Sequence, residues 1–357
     1  MTNVSPIRRP SVDRARGAGS FDRFRLTLGV LVLYRLGCFI PVPGLNPDAV
    51  ARLGAGSGLA LERVSIMALG LVPLLTVWVL FELVKTFFPS LARWQAADKR
   101  HAALLSRMLL GCALLDAAFQ GMAIATAMEN LNGLVAEPGG SFRMEAAASL
   151  VAAVAALAWL ADRLPLAGLG NGFWLLLTVP VLAALPSRAY AMIELTRSGA
   201  IGAGALALAG VFLVFSVAAL VVGAATRDRR DLFADIWPSM LGAATAGVAM
   251  IAFALVFDHD LAAVASPRYG FGGGVHLATL ATLIAFFAWA RARNSGGASV
   301  WPVTLAQILV CVGGEWLTVR LGMPVELGGV WLVAVTAVAL SAAYSILPSK
   351  NDVATAA

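Results

Sequence analysis

Residues 24–46, FRLTLGVLVLYRLGCFIPVPGLN, join an apolar run of membrane-span length to a stop that a helix cannot cross. The stop is Pro41-Val42-Pro43-Gly44, because proline removes a backbone donor and restricts the residue before it. One arginine, Arg35, lies five residues before Ile40. A charge inside lipid is costly, so we expect Arg35 to face protein or water, or to snorkel to an interface. The stretch therefore predicts one transmembrane helix that ends near Ile40.

The composition predicts a membrane protein with many spans. Of the 357 residues, 60% are hydrophobic and 13% are charged, and the mean hydropathy is +0.83. A soluble domain has about 25% charged residues. The apolar runs repeat at lengths that cross a bilayer as helices, and they are continuous rather than alternating. The fold class we predict is an all-α membrane protein.

Ten apolar runs are long enough to be spans, and polar segments flank them at both ends. Residues 1–20 predict a disordered basic N-terminal tail, and residues 349–357 predict a C-terminal tail. The predicted spans are 24–40, 65–88, 104–128, 145–161, 172–188, 201–224, 236–257, 275–290, 300–319 and 327–347.

Basic residues predict the orientation of these spans. With the N-terminus inside, the inner segments hold 18 of the 26 Lys and Arg residues and the outer segments hold seven. Because inner loops carry the excess of Lys and Arg, both termini are predicted to be cytoplasmic. The net charge of +6 then reflects basic loops that face anionic lipid, and no nucleic-acid partner is needed to explain it.

Several landmarks occur in order along the chain. The first is the Tyr34-Arg35-Leu36-Gly37 step with its proline-rich exit. The others are 65–73 (SIMALGLVP), 168–172 (GLGNG), Leu185-Pro186 at the end of the fifth span, and Pro324 with Gly328-Gly329 at the entry to the tenth. Together these landmarks resemble the SecY family, the protein-conducting channel of the general secretory translocon.

The resemblance implies two five-span halves, 21–190 and 191–348, around a central pore. It implies a channel that translocates polypeptides or inserts them into the membrane, with a lateral gate between spans 2 and 7. A ring of uncharged, bulky side chains closes such a pore by excluding water. Carried over position by position, the ring residues are Leu71, Leu177, Val181, Met240 and Ala334.

The chain also departs from the family pattern, which predicts a reduced and divergent paralogue. In the family, a plug helix lies between the first and second spans, whereas Gly54, Gly56 and Gly58 argue against a stable helix here. The loops that dock a ribosome or a motor ATPase shrink to 224–236 and 291–300, so docking of either is doubtful.

The same resemblance sets the expected partners and location. The partners it implies are polypeptide substrates and a small SecE-like membrane subunit, beside the anionic lipid indicated by the basic loops. The location it implies is the bacterial inner membrane.

Polar residues inside the spans support a different hypothesis, a small-solute secondary transporter. Glu82 could pair with Lys85, Asp116 and Gln120 share a helical face, and Glu315 follows Gly313-Gly314. The polar candidates are therefore Arg35, Glu82, Asp116, Gln120 and Glu315. Hydrogen bonding between helices, or pairing of Glu82 with Lys85, is the explanation that we favour for them. A third hypothesis is a degenerate paralogue that does not conduct and binds other membrane proteins.

Nothing in the sequence indicates an enzyme or a cofactor. The glycine-rich pieces 54–58 and 168–172 follow no strand and open no βαβ unit, so they do not predict phosphate binding. His101, His259 and His276 fall in separate segments, which gives no metal-ligand spacing. The three cysteines show neither disulfide nor metal spacing.

Overall fold

A computed structural model of the protein describes residues 20–56, 58–167, 171–226, 232–259, 264, 266, 268–295 and 300–346. Within these ranges the chain is helical, and extended backbone pairing is limited to two isolated bridges. The predicted all-α fold is confirmed. The two predicted tails, apart from Ser20, and residues 168–170 of the glycine-rich turn lie outside the described residues.

Helices follow one another through the described chain with short connections. A 3₁₀ turn (Ala234–Ile236) leads into α10, and a π-turn (Ala254–Asp258) ends it. The helices are α1 (Ser20–Gly37), α2 (Pro47–Gly56), α3 (Gly58–Arg63), α4 (Val72–Phe87), α5 (Pro89–Ala97), α6 (Lys99–Glu129), α7 (Gly140–Ala167), α8 (Gly172–Arg197), α9 (Ala203–Ala225), α10 (Trp237–Phe253), α11 (Gly274–Ser295), α12 (Trp301–Arg320) and α13 (Val330–Ile346).

Helices occupy all ten predicted spans within the described residues. In the described part of the chain, seven spans are long and apolar enough to cross a membrane: α6 to α9, α11, α12, and α10 taken together with its two flanking turns (Ala234–Asp258). An eighth results if α4 and α5, which meet at a bend of 107°, are one broken span. Of the others, α13 has 17 residues, and α1 carries four charged side chains among its 18.

Helix α8 continues past Leu185-Pro186, the predicted end of the fifth span, to Arg197. Proline is tolerated inside membrane helices, where neighbouring helices and side chains satisfy the freed backbone groups. Pro180 and Pro186 therefore lie within α8 without ending it.

Contacts divide the described chain into two compact units. One unit holds residues 20–81 and 88–180, and the other holds 82–87 and 181–346. The predicted halves, 21–190 and 191–348, stay a prediction.

In the first unit, the exit from α1 pairs with backbone on both of its sides. Val42 N donates to Val64 O at 2.9 Å, and Ile66 N donates to Ile40 O at 3.0 Å. On the other side, Asn46 N donates to Leu134 O at 2.8 Å and Ala136 N donates to Gly44 O at 3.0 Å. The exit therefore ties the segment before α4 to the segment before α7.

Small residues let α6 and α7 pack closely. Ala113, Ala117, Gly121 and Ala125 recur every fourth residue on one face of α6, and all four are buried. A β-carbon at Gly121 would lie 3.2 Å from Ala147 Cα on α7. Close backbone approach through small residues is a common way for membrane helices to associate, because lipid supplies no hydrophobic drive between them.

The second unit uses glycine at three helix contacts. Gly223 of α9 lies against Val303 of α12, and Gly242 of α10 lies against Ile284 of α11. Gly314 of α12 meets the backbone of Gly328, in the segment before α13. The Gly328-Gly329 landmark therefore lies where backbone meets backbone.

The expectation that 50–64 would form no stable helix is wrong, because α2 and α3 lie in this segment. Asn46 begins α2, with its Oδ1 accepting from Asp48 N at 3.0 Å, and Pro47 supplies the first helical residue. Gly56 and Gly58 fall at helix ends, where glycine costs little. Ala49, Val50 and Leu53 of α2 pack against the buried cluster around Val42 and Leu45, and such packing outweighs low helix propensity.

Gly44→Ala is expected to lower the free energy of unfolding by about 2–4 kcal/mol. Gly44 has φ +85°, and an added β-carbon would lie 2.7 Å from the ring of Phe142, which is buried. Thermal unfolding of the purified protein in detergent measures the effect. Gly133→Ala is the matched control, because Gly133 has φ +75° with open space around it. Equal losses for both variants would contradict a role for the Phe142 contact.

Gly314→Ala is expected to destabilise the second unit by about 2–3 kcal/mol. A β-carbon there would lie 2.5 Å from Gly328 Cα, and backbone cannot rotate away. The neighbouring Gly313→Ala is the control, since its β-carbon would meet only the ring edge of Phe212 at 3.3 Å. The same unfolding measurement compares the two, and a larger loss for Gly313→Ala would show that this packing is misassigned.

Candidate functional site

Arg35 forms an ion pair with Glu62, 27 residues further along the chain. Arg35 lies in the last turn of α1 and Glu62 lies near the end of α3. The Arg35 side chain is 37% exposed and that of Glu62 is 18% exposed, so solvent screens this pair less than it screens a surface pair. The sequence reasoning identified Arg35 but missed Glu62, because nothing in a span pattern points to a partner in the following loop.

The residues around this pair hold it in a fixed frame. Tyr34 and Cys38, on either side of Arg35, are buried. After α3, the Ser65 hydroxyl donates to Glu62 O at 2.8 Å and accepts from Met67 N at 3.2 Å. The Met67 side chain fills the space beside Gly37 at the end of α1. The carboxylate and the guanidinium are therefore presented by two well-anchored backbones.

Three of the other polar candidates, Glu82, Asp116 and Gln120, have partners on their own helices. Glu82 pairs with Lys85 on α4, one turn away. Gln120 Nε2 donates to Asp116 Oδ2 at 2.7 Å on α6. Both contacts satisfy a polar side chain locally, as expected for groups that must be tolerated within apolar helices.

Glu315 lies beside His276, a residue that no sequence pattern connects to it. Glu315 Oε2 on α12 is 3.2 Å from His276 Nε2 on α11, and both side chains are largely buried. Glu326 lies in the loop after α12. Partial burial and the nearby Glu315 charge raise the pKa of Glu326 above its ordinary value, and Arg188 acts in the opposite direction.

Two further polar contacts were not predicted. The buried amide of Gln307 on α12 donates to the backbone oxygen of Asp235, in the 3₁₀ turn before α10. Glu129 at the end of α6 accepts from Arg143 Nε at 2.6 Å and from Gly139 N at 2.7 Å. Each contact joins a helix to a neighbouring loop or helix, and sequence separation hides such pairs.

The five predicted ring residues are divided between the two units. Leu71 and Leu177 belong to the first unit, and both are buried. Val181, Met240 and Ala334 belong to the second unit, where Met240 and Ala334 are buried and Val181 is half-buried. The ring itself stays a prediction.

The described side chains offer apolar surface, hydrogen bonds and ion pairs. Among the residues that the structure describes, no group of three or more His, Cys, Asp and Glu side chains is arranged to hold a metal ion.

Several known proteins are similar to this chain in sequence, and others are similar to it in fold. The family model for SecY matches residues 65–233. The protein translocase subunit SecY of Haemophilus influenzae is 33% identical over 222 residues, which are 58% of this chain and 50% of that protein. The chain thus spans about half the length of this curated relative.

Two solved structures share the fold over 95% of the chain and 92% of their own length. One is Sec61 in the canine ribosome–channel complex from the endoplasmic reticulum, with a TM-score of 0.57 and 12% identity. The other is a SecY channel whose plug domain stabilises the closed state and maintains a membrane seal, with a TM-score of 0.55 and 11% identity. At these identities the likeness concerns the fold alone. The SecY match over 65–233, the similarity to a bacterial SecY and the shared fold agree with one another: the chain is similar to the SecY family in sequence over part of its length and in fold over nearly all of it.

Proposed function

We propose that this protein is a channel that translocates polypeptides across a membrane or inserts them into it. The observation that carries the proposal is the sequence similarity to SecY, with the family model matching 65–233 and a SecY translocase subunit 33% identical over 222 residues. The shared fold along nearly the whole chain supports it, because the likeness is not confined to the matched region.

Within this channel, Leu71, Leu177, Val181, Met240 and Ala334 form the ring, and the gate lies between α4 and α10. Their chemistry supports this assignment, because a seal around a moving chain needs bulk without charge. Leu71, Leu177 and Met240 are buried, so none of the three is a lipid-facing residue. Ala334 is the smallest member and would contribute least to a seal.

The α2–α3 segment occupies the chain position at which the family carries its plug, and we assign it that role. The apolar face of α2 packs on the core of the first unit, so the segment has a defined resting place. A SecY channel of similar fold has a plug domain that stabilises its closed state. The segment is short, which fits a reduced form of that device.

The location and partners follow from the same proposal. The protein lies in the bacterial inner membrane with both termini cytoplasmic, as the distribution of Lys and Arg favours. A small SecE-like membrane subunit joins its two halves, and anionic lipid faces the basic loops. The loops at 224–236 and 291–300 leave little surface for a ribosome or a motor ATPase.

The alternative function, a small-solute secondary transporter, depends on Glu315. Glu82 and Asp116 have partners on their own helices, which favours a structural role for both. Glu315 lies 3.2 Å from His276 on the neighbouring helix, and a carboxylate beside a histidine within the spans is an arrangement that proton-coupled transporters use. Loss of solute uptake in Glu315→Gln would favour this function, whereas a non-conducting paralogue would show neither uptake nor polypeptide crosslinks.

Photo-crosslinking residues placed at Leu71 and at Met240 are expected to capture a polypeptide during translocation. The physical reason is that a ring closes around the chain in transit, so its members touch every segment that passes. The measurement is crosslinking in membranes that synthesise a secretory polypeptide, followed by purification in mild detergent. A SecE-like subunit is expected to copurify.

Two control positions separate the ring from other apolar surfaces. Leu157 on α7 is buried, and Val214 on α9 is exposed on an apolar helix. Polypeptide adducts at Leu71 and Met240 but at neither control support the channel. If all four positions give no adduct in a folded, monodisperse protein, the channel proposal fails.

A further inference from the structure

The Arg35–Glu62 pair joins α1 to the segment that contains α2 and α3, and two other kinds of contact hold that segment in place. The two ends of the segment containing α2 and α3 are fixed by the backbone bonds at Val42–Val64 and at Asn46–Leu134. Between these ends, α2 and α3 rest on the core through apolar contacts of Ala49, Val50, Leu53 and Leu61. Such contacts are non-directional, and they allow a helix to lift away without breaking backbone pairing.

The ion pair is directional and partly buried. Glu62 has its carboxylate on Arg35 in the last turn of α1, next to the buried Tyr34 and Cys38. Cys38 N donates to Tyr34 O at 3.1 Å, which fixes the thiol at the end of α1. A carboxylate at this depth without a partner is unfavourable, so the pair favours the seated position of α3.

Arg35 also has a second contact, which it can keep when the ion pair breaks. Its guanidinium carbon lies 5.4 Å from the ring centroid of Phe39, and both side chains are partly exposed. A cation over an aromatic face at the membrane interface is tolerated. Opening therefore need not strand a positive charge in lipid.

We propose that the Arg35–Glu62 pair is a latch that holds α3 against α1 and sets how readily the α2–α3 segment lifts. Arg35 and Glu62 are positioning residues, since they act through the segment and need not touch a passing polypeptide. The consequence for conduction rests on the proposed function, because lifting of the segment matters for transport only in a channel. The latch itself does not depend on it.

A native thiol reports on the latch. Cys38 is buried at 3% exposure beside the pair, Cys112 is exposed and Cys311 is buried in the second unit. In full-length protein carrying Cys112→Ser, the rate at which N-ethylmaleimide labels Cys38 measures how often this buried thiol becomes accessible. Peptide mass spectrometry separates Cys38 from Cys311, which serves as an internal check of folding.

Glu62→Arg and Arg35→Glu are each expected to raise the Cys38 labelling rate about tenfold, which corresponds to about 1.4 kcal/mol. The double variant Arg35→Glu/Glu62→Arg restores the pair in reverse and is expected to return the rate to within about threefold of the wild type. The two single variants change the local charge in opposite directions. Because reactivity follows the thiolate, a direct effect on the thiol would move the two rates oppositely rather than together.

Arg63→Glu is the matched control. Arg63 is exposed and adjacent to Glu62 on α3, so this variant alters the charge of the same helix without touching Arg35. In the Arg63→Glu variant, the rate at which N-ethylmaleimide labels Cys38 is expected to equal that of the wild type. Cys311 is expected to stay protected in every variant, and a variant that exposes both thiols has unfolded and is replaced by Glu62→Gln.

The latch is overturned if neither single variant accelerates labelling while Cys311 stays protected, or if the double variant labels as fast as the singles. Polypeptide crosslinks at Leu71 and Met240 are read separately. A reversible latch without crosslinks would reject the channel and keep the latch, whereas crosslinks with unchanged labelling would do the opposite.

Discussion

The first unit depends on backbone pairing at the exit of α1. Pro41 and Pro43 prevent the chain from continuing as a helix, so the peptide groups of 40–46 need partners outside a helix. They find them on both sides, at Val64 and Ile66 and at Leu134 and Ala136. Three stretches that are far apart in sequence are thereby held in register. The approach to α4, the approach to α7 and the position of Arg35 all follow from this arrangement.

Apolar contacts then act on a frame that is already fixed. The buried cluster of the first unit collects residues from the exit, from α2 and α3, and from α6 and α7. Small side chains on α6 bring that helix close to α7, so the two backbones approach each other directly beside this cluster. The second unit follows the same rule, with glycine at its α9–α12, α10–α11 and α12–Gly328 contacts.

The sequence predicted the spans well because lipid leaves the backbone few choices, and an apolar run of sufficient length has to be a helix. It failed where tertiary packing decides. Helix α2 forms although Gly54 and Gly56 disfavour it, because its apolar face has a core to cover. It also missed Glu62 and His276, since an ion pair across a loop or between helices leaves no periodic signal. The pore ring is harder still to predict from sequence, because it depends on how residues in different units lie relative to one another.

The bend between α4 and α5 has a consequence for how the protein sits in its membrane. Two helices at 107° cannot both follow the bilayer normal, so when α4 crosses the hydrocarbon, α5 runs close to the membrane plane. On α5, Arg93 is exposed, and Trp94 stacks on His101 with ring centroids 4.4 Å apart. Aromatic and basic side chains on such a helix prefer the headgroup layer. The bend therefore fixes how deeply the protein sits in the membrane, because moving the protein along the bilayer normal would place α5 either in hydrocarbon or in water.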